Sequence, residues 1–140
     1  MIEVNYLLVL GLVVTATVLG MIWYGPIFGN AWCRLNGVDP NDPVAKKAMQ
    51  EGMMVPMLIQ IVMTALFVWV LYHYIIGAID DMSALSNGLW IWLGFIVPTL
   101  ASSVIWTTES GKNQRTRFLI QAGYNLVLLV TFSYLIGMFG

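Results

Sequence analysis

Residues 53–76 read MMVPMLIQIVMTALFVWVLYHYII, an apolar stretch without a formal charge, and its reading decides the fold. A helix needs about 20 apolar residues to cross the hydrocarbon of a bilayer. In lipid every backbone amide must be satisfied internally, so one stretch of this length is a helix and not a strand. The same signal recurs along the chain. Glu3 is followed by no charge until Arg34, Asp81 by none until Glu109, and Arg117 by none to the C-terminus. The charge-free runs predict helices near residues 4–23, 53–76, 89–106 and 118–139, with loops at 24–52, 77–88 and 107–117. The expected fold is all-α: a polytopic membrane protein with four transmembrane helices in an antiparallel bundle, one domain over residues 1–140.

Composition agrees. Hydrophobic residues make up 59% of the chain and charged residues only 9%, against about a quarter charged in soluble proteins. The six basic residues fall in two stretches, Arg34, Lys46 and Lys47 in one, Lys112, Arg115 and Arg117 in the other. Alternating helices put both stretches on one side, and positively charged loops stay cytoplasmic. The expected placement is the cell inner membrane, multi-pass, with both termini on the outer side. The first helix lacks a basic leading region and an A-x-A site, so it reads as an anchor and not a cleaved signal. Tyr6, Tyr72, Tyr74, Trp90 and Trp92 are expected at the outer interface, and Trp23, Tyr24 and Trp106 at the inner one. A net charge of −1 with segregated signs makes nucleic acid an unlikely partner; the lipid bilayer is the first partner implied. The single cysteine, Cys33, excludes an internal disulfide and reads as a small apolar residue at the interface.

In the first basic loop, Ile27, Phe28, Trp32 and Leu35 recur at roughly helical spacing, which predicts a short amphipathic piece in the headgroup zone. Gly25 and Pro26 are expected to make the turn that leads into it. Asp42 can cap a helix whose first residue is Pro43, carrying Lys46 and Lys47, running into the second span and bent by Pro56. Asp80 and Asp81 read as a solvated outer turn. The Gly111-Lys112 pair lacks the upstream glycine and following hydroxyl of a phosphate loop.

Trp23-Tyr24-Gly25-Pro26-Ile27-Phe28-Gly29-Asn30-Ala31-Trp32, followed by Arg34-Leu35 and Gly37, resembles the block after the first helix in the DUF1761 family of small four-helix membrane proteins. Glu109-Ser110-Gly111-Lys112 and the run from Phe118 to Val127 resemble that family's pattern before and within its fourth helix. The chain departs from the pattern at Ser110, which separates Glu109 from Gly111. The resemblance implies architecture, since no function is established for the family. Read physically, Trp23, Phe28 and Trp32 anchor the block at the headgroups, while Gly25, Pro26 and Gly29 shape its backbone. A turn that re-enters the membrane is the functional alternative.

Polar side chains lie at one depth, behind the basic loops. Thr15 and Thr17, Gln60 and Thr64, Thr99, Ser102 and Ser103, and Gln121 with Asn125 come from all four helices. Two readings are open: a cytoplasm-facing vestibule for water or a small solute, closed outward by Phe67, Trp69, Leu71 and Phe132, or hydrogen-bonded glue between helices. His73, between two tyrosines, fits the outer belt. No membrane-embedded carboxylate is present for proton exchange, and no nucleophile with a base, metal cluster or cofactor motif is found, so the chain reads as a non-enzyme without cofactor. Ile22-Trp23 and Ile105-Trp106 hint at a duplicated helical hairpin, and Gly11/Thr15 with Ala16/Gly20 give a close-packing stripe. Lys46, Lys47, Arg115 and Arg117 either touch headgroups or form the mouth of the polar layer. The leading expectation is a small channel-like or solute-transport protein. The alternative is a non-transporting scaffold or accessory subunit that binds lipid or membrane proteins; a homo-oligomer or a partner membrane protein is expected in either case.

Overall fold

The computed structural model describes residues 2–78 and 82–140; Asp80 and Asp81 lie outside them. Among the described residues all regular structure is helical: α1 (Tyr6–Ile22), α2 (Gly29–Leu35), α3 (Pro43–Glu51), α4 (Met54–Gly77), α5 (Ala84–Ile91), α6 (Val97–Ile105) and α7 (Gly111–Phe139). Two wide, π-helical turns extend these elements, Trp23–Ile27 after α1 and Trp92–Ile96 between α5 and α6. Four continuous apolar rods result, Tyr6–Ile27, Met54–Gly77, Ala84–Ile105 and Gly111–Phe139, each long and apolar enough to cross a membrane.

Several boundaries differ from the sequence expectation. The third rod begins at Ala84, not Leu89, because the Ser83 hydroxyl accepts from the Ser86 N–H at 3.2 Å and caps the helix early. The fourth begins at Gly111, not Phe118, because Ser110 caps Asn113 at 3.3 Å and the polar turns of 112–117 are helical. Hydropathy locates the part of a helix that lipid can accept, whereas caps decide where the helix starts. Gly25 and Pro26 make no turn. They sit inside the first π turn, where Phe28 N–H reaches back to Trp23 O at 2.9 Å, and the chain breaks only at Phe28. Proline has no N–H and clashes with the carbonyl four residues earlier, and a wider turn relieves that clash. The second π turn plays the same part ahead of Pro98.

The first basic loop folds as two helices. α2 ends in a Schellman motif: Gly37 takes φ of 74°, and Val38 N–H bonds Cys33 O at 2.9 Å. Asp42 caps α3 as expected, accepting from Val44 at 3.0 Å and Ala45 at 3.2 Å. α3 does not run into the second rod. The helix breaks at Gly52 and Met53, and Pro56 lies in the first turn of α4, where its missing N–H costs nothing.

The core is formed by Leu12, Val13 and Ala16 of α1, Val68, Leu71, Tyr72 and Ile75 of α4, and Leu128, Leu129, Phe132 and Ile136 of α7. The fourth rod is central, with 39% of its apolar window buried against 11–17% in the others. Close approach rests on small residues. Gly88 packs on Ser133 and the Leu129 carbonyl, and Gly137 on Ala84. Ala16 and Gly20 of the expected stripe both meet Tyr124, whose hydroxyl donates to Ala16 O at 2.9 Å, so that stripe serves α7. Two expected outer-belt residues are instead inside. Tyr72 is 2% exposed; its hydroxyl donates to Glu3 O at 3.2 Å and accepts from Asn5 N at 3.3 Å. Trp92 turns inward and donates its indole N–H to Ala122 O at 2.9 Å. Both rings carry a polar group that a main-chain partner satisfies better than a shared place at the interface.

A Cβ on Gly88 would overlap Ser133 Oγ and lie 3.2 Å from Leu129 O, whereas one on Gly11 would meet nothing within 4 Å. Gly88→Ala is expected to destabilise the purified protein by about 1–3 kcal/mol, and Gly11→Ala to have no such effect. Thermal unfolding in detergent compares the two, and equal midpoints would show that the α5–α7 contact is not tight.

Candidate functional site

The side chains of the aromatic block after α1 come together beside the basic residue Arg117, against α7. Trp23 donates its indole N–H to Ile120 O at 2.9 Å and packs on Phe28 at 4.9 Å between ring centres. A methyl group on Gly123 would sit 3.0 Å from the Trp23 ring, so that glycine lets the indole lie on α7. Tyr24 meets Trp32 edge to face at 4.7 Å and Tyr124 at 5.4 Å. A Cβ on Gly29 would be 3.1 Å from Tyr24 O, which explains the small residue just after the break. Gly25 and Pro26 are exposed on the π turn, within the continuous helical rod Tyr6–Ile27.

Arg117 joins this cluster to the second basic stretch. Its guanidinium lies 5.3 Å from the Trp32 ring centre, donates to Leu35 O at 3.0 Å, and forks onto both oxygens of Glu109, Nε to Oε2 at 3.0 Å. Those hydrogen bonds hold the Glu109 carboxyl below its usual range. Glu109 thus pairs with Arg117 and, through it, ties the second basic stretch to α2. Trp106, expected at the inner interface, is 85% exposed.

Behind the aromatic cluster lies a pocket of about 120 Å³, walled by Tyr24, Trp32 and Cys33 on one side and by Lys46, Met49 and Gln50 of α3 on the other. A larger groove of about 350 Å³, lined by Phe67, Val70, Tyr74, Ile91 and Phe95, is almost wholly apolar.

The polar layer does not converge in the same way. Thr15 donates to Gly11 O at 2.8 Å, Gln60 to Thr64 Oγ1 at 3.2 Å, and Asn125 to Gln121 O at 2.9 Å, each bond closing within its own helix. Gln60, Thr99 and Ser102 are exposed, while Thr15, Thr64, Gln121 and Asn125 are half-buried. Among the described residues, none of these seven bonds to another helix. His73 is likewise satisfied locally, through Trp69 O at 2.8 Å. Among the described residues no three His, Cys, Asp or Glu side chains assemble as a metal site.

Two features escaped the sequence reading. Asn87 and Ser133 are 3% and 0% exposed, and the Asn87 Nδ2 and Ser133 Oγ have no partner among the described residues. Asn87 was placed in the outer loop, which hid it. The second is a repeat. Ile22-Trp23-Tyr24-Gly25-Pro26-Ile27 and Ile91-Trp92-Leu93-Gly94-Phe95-Ile96 share the pattern I-W-x-G-x-I. Both copies fold as π turns, and both tryptophans donate to α7, at Ile120 and Ala122. The repeat was legible in the chain, but matching Ile22-Trp23 to Ile105-Trp106 concealed it.

The family model described as "Protein of unknown function (DUF1761)" matches residues 7–137. No curated protein and no solved structure matches the chain.

Replacing Trp23 or Trp92 with Phe keeps a six-membered aromatic ring and removes the indole N–H with the five-membered ring that carries it, at an expected cost of at least about 1 kcal/mol each. Thermal unfolding of both variants measures it, and no loss in either would mean the bonds hold nothing. The Glu109 clasp has a sign that can be worked out. A carboxyl lowered in the folded state stabilises fully above the ordinary carboxylate range, about pH 4.3, and loses that contribution as pH falls through its lowered value. Wild type is expected to lose stability below about pH 4 more steeply than Glu109→Gln, which starts lower; parallel curves would remove Glu109 from the acid response.

Proposed function

The chain belongs to the DUF1761 family, and we propose that it is a non-enzymatic, self-associating membrane scaffold of the inner membrane, with both termini outside. The basic residues support that orientation: Arg34, Lys46 and Lys47 follow the first rod, Lys112, Arg115 and Arg117 follow the third, and loops rich in Lys and Arg stay on the cytoplasmic side.

The observation that carries the scaffold reading is Gln60. It lies six residues into α4, about 9 Å along the axis, on a half of that helix that the rest of the chain leaves uncovered. Leu58, Ile59, Val62 and Met63 around it are all at least half exposed. Lipid suits those side chains, but not an amide. Gln60 spends one N–H on Thr64, and its carbonyl has no donor among the described residues. An amide left in hydrocarbon favours a helix that can answer it. An amide is both donor and acceptor, so a second copy of the same face answers it directly across a two-fold axis. The exposed apolar flank supplies the packing surface.

Passage of a small uncharged solute is the second reading. It draws on Asn125, half-buried at the same side, whose carbonyl has no donor among the described residues. A path of that kind would run between copies, because one unit does not bring the polar layer together.

Gln60→Leu keeps size and removes the amide. Labelled protein in liposomes, read by energy transfer between copies, is expected to associate about 3- to 30-fold more weakly as the variant, the scale of one interhelical hydrogen bond. Unchanged association would sink the scaffold reading. Solute flux through liposomes that disappears with Asn125→Leu, at unchanged association, would support the second reading instead.

A further inference from the structure

We propose that the pocket between the first π turn and α3 binds the phosphate-bearing headgroup of an anionic phospholipid. Two unlike walls face each other across it. One is aromatic, the Tyr24 and Trp32 rings held edge to face at 4.7 Å. The other is α3, which presents Lys46 and Gln50 four residues apart on one helical face. Met49 and Met53 add an apolar edge beside them. The site therefore has a polar edge and an apolar floor.

The charges distinguish two adjacent lysines. Lys47 pairs with Glu51 at 4.0 Å, whereas Lys46 has no carboxylate within ion-pair reach among the described residues. Lys46, which lines the pocket, thus carries an unneutralised ammonium with three donors, and Gln50, which lines it too, an amide NH2 with two more. A soluble anion would use only that edge. A phospholipid would use both, since its phosphate is joined to apolar chains that the aromatic rings and methionines can receive. Position favours the lipid: α3 ends at Glu51 and the apolar rod begins at Met54, so the pocket lies where chain leaves water for hydrocarbon. Anionic phosphates and cationic side chains meet at that level. This site is separate from the Gln60 face and does not depend on self-association.

The full chain in neutral detergent is titrated with phosphatidylglycerol, phosphatidylcholine and glycerol 3-phosphate, and retained ligand is read by native mass spectrometry. Phosphatidylglycerol is expected to be retained over phosphatidylcholine, and Lys46→Glu to weaken it at least about tenfold. Lys47→Glu changes net charge equally one residue away and removes only an exposed ion pair, so it should stay within about twofold of wild type. Both positions are exposed, so neither change threatens the fold. Equal losses in the two variants would reduce the binding to general surface attraction and overturn the proposal. Binding of glycerol 3-phosphate without retention of phosphatidylglycerol would overturn it too, by making the occupant a soluble anion.

Discussion

Apolar side chains gain little when helices meet inside lipid, because the acyl chains around them are equally apolar. Helices in such a setting are held by close contact and by hydrogen bonds, and here both converge on α7. Trp23 and Trp92 donate to Ile120 O and Ala122 O, Tyr124 donates to Ala16 O, and Gly88 and Gly137 admit α5 to close range. A helical carbonyl has a second lone pair, so an indole can bond to it without releasing the helix's own bond. The first and third rods are thereby held to the same short stretch of the fourth. The two π turns lie at those contacts, which links the local cost of a nearby proline to the way each tryptophan is presented.

The existence of the four rods was legible because each of the four runs between charges is long and apolar enough for a helix that crosses lipid. Their ends were less legible. Ser83 and Ser110 cap helices from within polar stretches, where hydropathy carries no signal. Facing was harder still. Tyr72 lies near a rod end, and Trp92 lies near one only if the third rod is started at Leu89 and not at Ala84; both carry polar tips, as interface residues do, yet each finds a backbone partner inside. Depth alone grouped Thr15, Gln60, Ser102 and Asn125, but depth is a coordinate along the axis. Convergence also needs the angle around it, and helices whose polar and apolar residues favour a face as weakly as those of α1, α4 and α7 contain little of that information.

The sequence groups the aromatic block by its place at the headgroups, and the structure adds contacts within it. Its residues anchor one another, as Trp23 on Phe28 and Tyr24 on Trp32 show. What the chain could not reveal without its fold is that Arg117, eighty-odd positions on, closes the cluster by touching Trp32, Leu35 and Glu109 together. Ser110 stands between Glu109 and the helix that it caps, and the carboxylate reaches the guanidinium from before the cap and not from the helix itself.

Packing is uneven along the second rod. Val68, Leu71, Tyr72 and Ile75 of α4 are buried, whereas Met54, Val55, Leu58 and Val62 are largely exposed. Only half of this rod is therefore bound to its own chain. Lipid would cover an apolar half-helix without difficulty, so exposure by itself calls for no partner. The amide of Gln60 changes that balance, since it is the polar group on this face whose carbonyl lipid cannot satisfy. The break at Gly52 and Met53 separates this face from the pocket on α3, with Met53 lining the pocket and the first turn of α4 beginning directly after it. Contact between copies and contact with a headgroup can thus occupy adjacent parts of one basic end without competing for the same side chains.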